Sequence, residues 1–420
     1  MNVSLAYGRG RLAVNVPDER TTVIEPSYVE GLPNEDTTIR HALRQPIGSQ
    51  PLRTLVSSEH TVAISVCDIT RPMPSSTLLP VLLEELSHVP TKQIKILIAA
   101  GTHRECTHDE LIEMLGESIV DNCQIVNHNA FDESSLVHLG EVEPDVPIWL
   151  NRHWVDADIR ITTGFVEPHF FAGFSGGPKL VAPGLAGFKT TMRLHDAEMI
   201  GSSNARWGIT EGNPIHDAIR RIAAHVGVHF SVDVAINRNR EITSLAAGNI
   251  FEVHRTMALR VKQSAMQAFD TPFDVVVTTN SGYPLDQNLY QSIKGVSAAA
   301  QVVKPGGAII CAAECSDGLP SHGEYGDILN QRDTPEELLD MICAPGHNRH
   351  DQWEVQIQAQ IQQQQADIQQ KEAENQKLQE ENQQLEAQSQ MDGDAVRKSE
   401  SALRKEVAAL KVQLAEASRS

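Results

Sequence analysis

The 420-residue chain has no run of about 18 apolar residues, the length that crosses a bilayer as a helix, so no membrane span is expected. Its opening residues, MNVSLAYGRGRLAVNVPDER, have no basic stretch followed by an apolar core, which excludes a secretory signal reading. CxxC pairs are also missing. The six cysteines (Cys67, Cys106, Cys123, Cys311, Cys315 and Cys343) are dispersed, mostly in apolar strand-like segments, as expected of reduced thiols in a cytoplasmic protein. Only the string CAAEC leaves a metal or redox site open. Positive charge is scarce, with 35 Lys and Arg against 55 Asp and Glu and a net charge of −20. That balance argues against nucleic acid or an anionic membrane as the main partner, and leaves anionic ligands to local cations.

What the chain does have is alternation. A chain this long suggests more than one domain. TVAISVCD (61–68) is a β-branched apolar run followed by a Pro-rich turn and the helical SSTLLPVLLEELSHV. IKILIAAGTHR repeats the form, and THDELIEMLG after it carries a capping box of Thr107 and Glu110, with Gly116 to end the helix. DADIRITTG (156–164) is a third strand, running into EPHFFAGFSGGPKLVAPGLAG. FDVVVTTNSG (273–282) opens a fresh series: helix LDQNLYQSIKGVSAAAQVV, strand GGAIICAAEC, helix DTPEELLDMI. Strands alternating with helices at this spacing predict an α/β fold with parallel-type sheets. The expected units are an N-terminal α/β domain over 1–268, a C-terminal α/β domain over 269–354, and a helical tail over 355–420.

The tail is different material. After Trp353 there is no aromatic, proline, histidine or cysteine. Ile361, Ile368, Leu378 and Leu385 recur at heptad spacing, with Asn375 and Asn382 at alternate core positions. A second seam (Val396, Leu403, Val407, Leu410, Leu414) resumes after MDGD with an offset, a stutter. The pattern predicts a coiled-coil-like helix through which the chain could self-associate; a solvated, partly disordered Gln/Glu-rich segment is the alternative.

Ligands of open parallel sheets bind beyond the carboxyl ends of the strands. Asp68 and Arg71 follow the first strand, His103 and Arg104 the second, His169 and Lys179 the third. Three successive strands thus deliver reactive groups to one edge. Each has a plainer reading: a lone histidine is more often structural, Asp68 could cap a turn, and Arg71 could pair with it. Arg71 could equally grip a carboxylate with its fork. Lys179 stands in a glycine-rich turn, but GFSGGPKL lacks the GxxxxGK[ST] spacing of a P-loop; a lysine there can also bond a cofactor covalently. His195, in TTMRLHDAEMIG, is expected on a helix, where histidine is a common metal ligand. In YQSIKG, Tyr290 and Lys294 lie one helical turn apart with Gln291 beside them.

The strings DITRPMPS, AAGTHR, EPHFFAGFSGGPKLVAPGLAG, TTMRLH, GNP (212–214) and YQSIKG, in this order between residues 7 and 356, resemble the nickel-pincer lactate racemase family of 2-hydroxyacid racemases and epimerases. The resemblance implies nickel and a pyridinium-3,5-bisthiocarboxylic acid mononucleotide, an S–C–S pincer tethered at Lys179, with Gly176 and Gly177 letting backbone approach it. It implies His195 as the nickel ligand and His103 and His169 as the acid/base pair. Arg71 and Lys294 would hold the substrate carboxylate, with Gln291, Tyr290 and Trp353 around it and Asp68 supporting the site. It implies an active site in a cleft between the two domains, a small 2-hydroxy acid as substrate, and cofactor-making enzymes as maturation partners. A carbon-bound hydrogen beside a hydroxyl is not acidic enough for histidine alone. Its removal as hydride, with a histidine taking the hydroxyl proton, avoids a carbanion. Past DQWEVQ the resemblance implies further βα elements where this chain has its heptad segment. A truncated second domain and a fusion or frameshifted product are both open, as is a catalytically impaired scaffold that assembles through the tail.

Overall fold

The computed structural model describes residues 1–319, 325–334, 337–338, 340–341 and 344. By contacts the chain falls into two compact units, Met1–Gln364 and Gln365–Ser420. All described residues lie in the first. Trp353, Cys343 and the heptad seams lie outside them.

A six-stranded sheet organises the larger part. Its strands are β3 (Val62–Cys67), β4 (Ile94–Ala99), β5 (Gln124–Asn127), β8 (Ile159–Phe165), β11 (Phe230–Ile236) and β12 (Ile242–Gly248). A hairpin, β6 (Leu136–Val142) and β7 (Val146–Asn151), stands between β5 and β8 in the chain, and the short pair β9 (Pro168–His169) and β10 (Gly173–Phe174) follows β8. The spatial order is β12-β11-β8-β3-β4-β5, parallel except for the antiparallel β12. All six residues of VAISVC are buried, which is why β3 reads as an unbroken apolar run: helices cover both faces. Ile39, Leu43, Leu78 and Leu82 pack one face, and Trp154, Leu185, Ile219 and Ile222 the other. Each such fully buried aliphatic side chain contributes about 1.5–3 kcal/mol.

Local signals set the helix ends. Thr107 and Glu110 form the expected capping box on helix His108–Leu115, and Gly116 follows at φ +87°. The string GNP is a helix start: Asn213 accepts from the Ile215 and His216 amides, and Pro214 occupies the first turn of helix Pro214–Val226. Asn213 Nδ2 also donates to the Phe171 carbonyl at 2.7 Å, tying that helix to the loop after β9.

The chain winds outward through β3, β4 and β5, then returns to add β8 and β11 on the other side of β3. The reversal between β3 and β8 is a topological switch point, where the loops at the strands' carboxyl ends part and leave a crevice.

The second group of elements is β13 (Phe273–Thr279), helix Leu289–Ala300 and β14 (Val303–Ala312), with the two strands parallel. An N-terminal hairpin, β1 (Asn2–Tyr7) and β2 (Gly10–Asn15), leans on this group: Thr279 Oγ1 donates to the Ala6 carbonyl at 2.8 Å, and the Gly8 amide to Asp286 at 2.8 Å. The first residues of the chain therefore pack with residues 279–286, although the sequence places them in the 1–268 unit. Among the described residues no helix is long and apolar enough to cross a membrane. The five described cysteines are free.

Candidate active site

The switch-point crevice is an open cleft of about 800 Å³, solvent at its mouth included. Asp68 and Arg71 line it from the turn after β3, His103 from the turn after β4, and His169, Gly176 and Lys179 from the segment after β8. His195, Tyr290, Gln291 and Lys294 complete the wall. Gly177 lies one residue behind it in the same loop. The structure thus brings Asp68, Arg71, His103, His169, Gly176, Lys179, His195, Tyr290, Gln291 and Lys294 together in one cleft, with Gly177 just behind it.

His103 is held from both ring nitrogens. Its Nδ1–H donates to Asp68 Oδ2 at 2.8 Å, so the Nε2 lone pair faces the cleft, 3.4 Å from Gln291 Nε2. Burial alone would raise the Asp68 carboxyl, but its interactions with His103, Arg71 and Thr70 outweigh it and hold the carboxyl below its usual range. Asp68 therefore orients a charged-acceptor bond onto the histidine.

His169 has the opposite tautomer. Its Nδ1 accepts from the Phe171 and Ala172 amides at 3.3 and 3.2 Å, so the neutral ring carries its proton on Nε2, 2.9 Å from Lys179 Nζ. Burial, then the charges of Lys179, Lys294 and Arg71, push this imidazole well below its ordinary value. Its Nε2–H then donates to an amine lone pair. The lysine agrees: burial, with the Arg71 charge added, lowers it to about 7. Lys294 is also driven well down by burial and Arg71, and its Nζ donates to Gln291 Oε1.

The glycine turn has a physical reason. Gly176 and Gly177 sit at φ +77° and +47°, and a Cβ on Gly177 would lie 2.6 Å from the His254 ring. Below the turn, the Gly177 amide donates to Asp233 Oδ1 at 3.1 Å and His254 Nε2–H to the Ser175 carbonyl at 2.9 Å. Burial raises Asp233 to about 7, and its Oδ2 has no hydrogen-bond partner among the described residues. Neither Asp233 nor His254 belongs to a sequence motif, so sequence reasoning missed both.

His195 differs from expectation in its setting. Helix Phe188–Leu194 stops before it, and His195 is the C-cap residue at φ −117°. There its Nδ1–H reaches back to the Thr191 carbonyl at 2.8 Å, leaving the Nε2 lone pair for a metal. Burial lowers this imidazole to about 4, the neutral form a metal requires. Arg104 also departs from its grouping with the strand-end set, because its guanidinium is paired with Glu110 at 2.6 Å and reaches Asp317 at 3.4 Å.

With this geometry in place, the relatives are informative. Residues 7–208 match the model of the lactate racemase N-terminal domain, and 269–413 that of the C-terminal domain. The lactate racemase of Thermoanaerobacterium thermosaccharolyticum is 37% identical over 367 residues, covering 86% of this chain and 85% of that protein. The chain belongs to the lactate racemase family. It is thus an isomerase of the racemase kind. The Lactiplantibacillus plantarum lactate racemase is also 37% identical, over 366 residues, with 86% of each chain covered. The T. thermosaccharolyticum lactate racemase apoprotein structure superposes with a TM-score of 0.76 at 35% identity, covering 86% of both chains. A Thermotoga maritima protein, 20% identical with a TM-score of 0.63 over 80% of this chain and 84% of its own, shares the fold. The C-terminal family match runs past residue 355 into the heptad segment.

Proposed function

We propose that this chain interconverts the enantiomers of lactate or a close 2-hydroxy acid, with a nickel-pincer pyridinium mononucleotide as its resident group. One observation carries the reading. His103 and His169 line the same cleft as Arg71 and Lys294, two basic side chains suited to a carboxylate.

The residues fit such a group. No three His, Cys, Asp or Glu side chains among the described residues gather into a metal site, so the chain's offer to a metal at the cleft is the His195 imidazole, and the remaining donors have to come with the ligand. Thr191 Oγ1, in the cleft wall, is buried without a hydrogen-bond partner among the described residues, as expected of a group awaiting a polar ligand. The Lys179 amine, lowered to about 7, suits a covalent tether. His195 would hold the nickel, with Gly176 and Gly177 leaving space for the nucleotide. When bound, the group supplies an electron-poor carbon that takes hydride from the substrate and returns it.

The chain's own residues handle charge and protons. Arg71 and Lys294 grip the carboxylate. Lys294 is driven toward neutrality by burial and then by the Arg71 charge, so an arriving anion restores its charge and strengthens its own binding. His103 Nε2 accepts the proton from the hydroxyl oxygen on one face, and His169 serves the other after its ring proton moves from Nε2 to Nδ1, which requires the Phe171 and Ala172 amides to release Nδ1. Tyr290, buried at the cleft wall beside Gln291, restricts water. The enzymes that build the nucleotide would be its maturation partners.

The test replaces each histidine. In nickel-charged protein, His103→Ala and His169→Ala should each lower racemisation at least about a hundredfold, the scale of a general acid/base contribution, with nickel content retained. Full activity at normal nickel content in either variant would overturn these roles.

A further inference from the structure

One hydroxyl stands between the base and the clamp. Thr70 is only 4% exposed, and its Oγ1–H donates to Asp68 Oδ1 at 2.8 Å. The same oxygen accepts from Arg71 Nη1–H at 2.9 Å, and that nitrogen also donates to the Thr70 carbonyl at 3.1 Å. Asp68 Oδ2 meanwhile accepts from His103 Nδ1–H at 2.8 Å. On the far side of the guanidinium, Arg71 Nε faces Glu167 Oε1 at 3.5 Å, and the Glu167 amide is fixed by Ser175 Oγ at 2.9 Å.

Direction in this chain of bonds is dictated by chemistry. A guanidinium can only donate and an ionised carboxylate only accept, so the hydroxyl between them has one orientation. It donates to Asp68 and receives from Arg71, and each bond polarises the next. Asp68 has two oxygens with separate tasks: one orients His103 and the other is occupied by Thr70. Without the Thr70 proton the carboxylate is free to turn about its own axis and carry His103 with it. Without the Thr70 oxygen the guanidinium keeps the backbone carbonyl and Glu167, a looser anchorage for a fork that has to meet a carboxylate in register.

We propose that Thr70 is a positioning residue that couples the orientation of the base His103 to that of the carboxylate clamp Arg71. This rests on the functional reading above and adds to it a residue that touches neither substrate nor cofactor.

Thr70→Val is nearly isosteric and removes only the hydroxyl, Thr70→Ser keeps it, and Thr70→Ala is a second removal should valine not fold. In nickel-normalised enzyme, Thr70→Val or Thr70→Ala should raise KM for lactate at least tenfold and lower kcat at least tenfold, with Thr70→Ser within threefold of wild type in both. The Thr70→Val and Arg71→Lys effects on KM should be strongly non-additive, because they remove the same bond. A second readout uses the apoprotein: nitrogen-15 spectra of histidine side chains, with His103 assigned from His103→Gln. Wild type and Thr70→Ser should show His103 protonated on Nδ1, and Thr70→Val a mixture of tautomers. Kinetic constants within threefold of wild type in Thr70→Val, or an unchanged His103 spectrum, would overturn the coupling. A charged wild-type protein that leaves lactate untouched would overturn the racemase reading instead, and the apoprotein spectrum would still decide whether Thr70 sets His103.

Discussion

Lys179 should behave in the apoprotein as a lysine unlike the rest. Burial is the main reason its amine falls from 10.5 to about 7, helped by the Arg71 charge and opposed by Glu167. At pH 7.5 such an amine is about three-quarters neutral, against about 0.1% for an ordinary lysine, a difference of several hundredfold in nucleophilic form. The His169 hydrogen bond points the same way, since a ring that accepts at Nδ1 has only its Nε2–H to offer the lysine. The assay is trace acetylation of the apoprotein with isotopic acetic anhydride across pH 5 to 10, read by peptide mass spectrometry against the exposed Lys92. Labelling of Lys179 should rise through about pH 7 and level off, well before an ordinary exposed lysine would. Glu167→Gln removes the opposing carboxylate charge and should move the midpoint lower. A Lys179 that follows the Lys92 profile would refute the neutral amine.

Two further outcomes follow from neighbouring groups. His195→Ala should cut bound nickel below about a tenth of wild type while shifting the apoprotein melting temperature by no more than about 3 °C, because among the described residues the His195 side chain makes one hydrogen bond, to the Thr191 carbonyl. Asp233→Asn should alter stability with a definite sign. Burial raises the Asp233 carboxyl to about 7, so between about pH 4 and 7 the folded state keeps a proton that the unfolded chain has released. Wild-type stability falls as pH rises through that window. Asparagine cannot titrate, so the variant should gain on wild type from pH 4.5 to 7.5, by at most about 4 kcal/mol at about 1.4 kcal/mol per unit. Urea unfolding of the apoproteins at the two pH values measures it, and a constant difference would contradict a raised carboxyl.

Much of this was legible in the chain because its causes are local. An unbroken apolar run such as VAISVC tells of a strand covered on both faces, and the Thr107–Glu110 box needs only four residues to form. The gathering of Asp68, His103 and His169 follows from parallel strands ending at one edge. What escaped was set at long range. The N-terminal hairpin finds its partners at residues 279–286 with no local mark of it. Asp233 and His254 look like an ordinary strand and helix residue until the Ser175–Gly177 backbone lies against them. Thr70 and Glu167 sat inside strings already singled out, but a hydroxyl's role depends on which donor and acceptor reach it. His195 was placed on a helix, whereas the helix ends one residue earlier and its C-cap geometry aims the ring.

The central claim is racemisation at this cleft, and one measurement meets it directly. The protein is co-expressed with the cofactor-making enzymes, purified, assayed for nickel, and incubated with pure L-lactate, with the D-enantiomer followed by chiral chromatography. The account predicts about one nickel per chain and conversion toward equal amounts of the two enantiomers, from either starting side. Protein carrying that nickel but leaving L-lactate unchanged would contradict it.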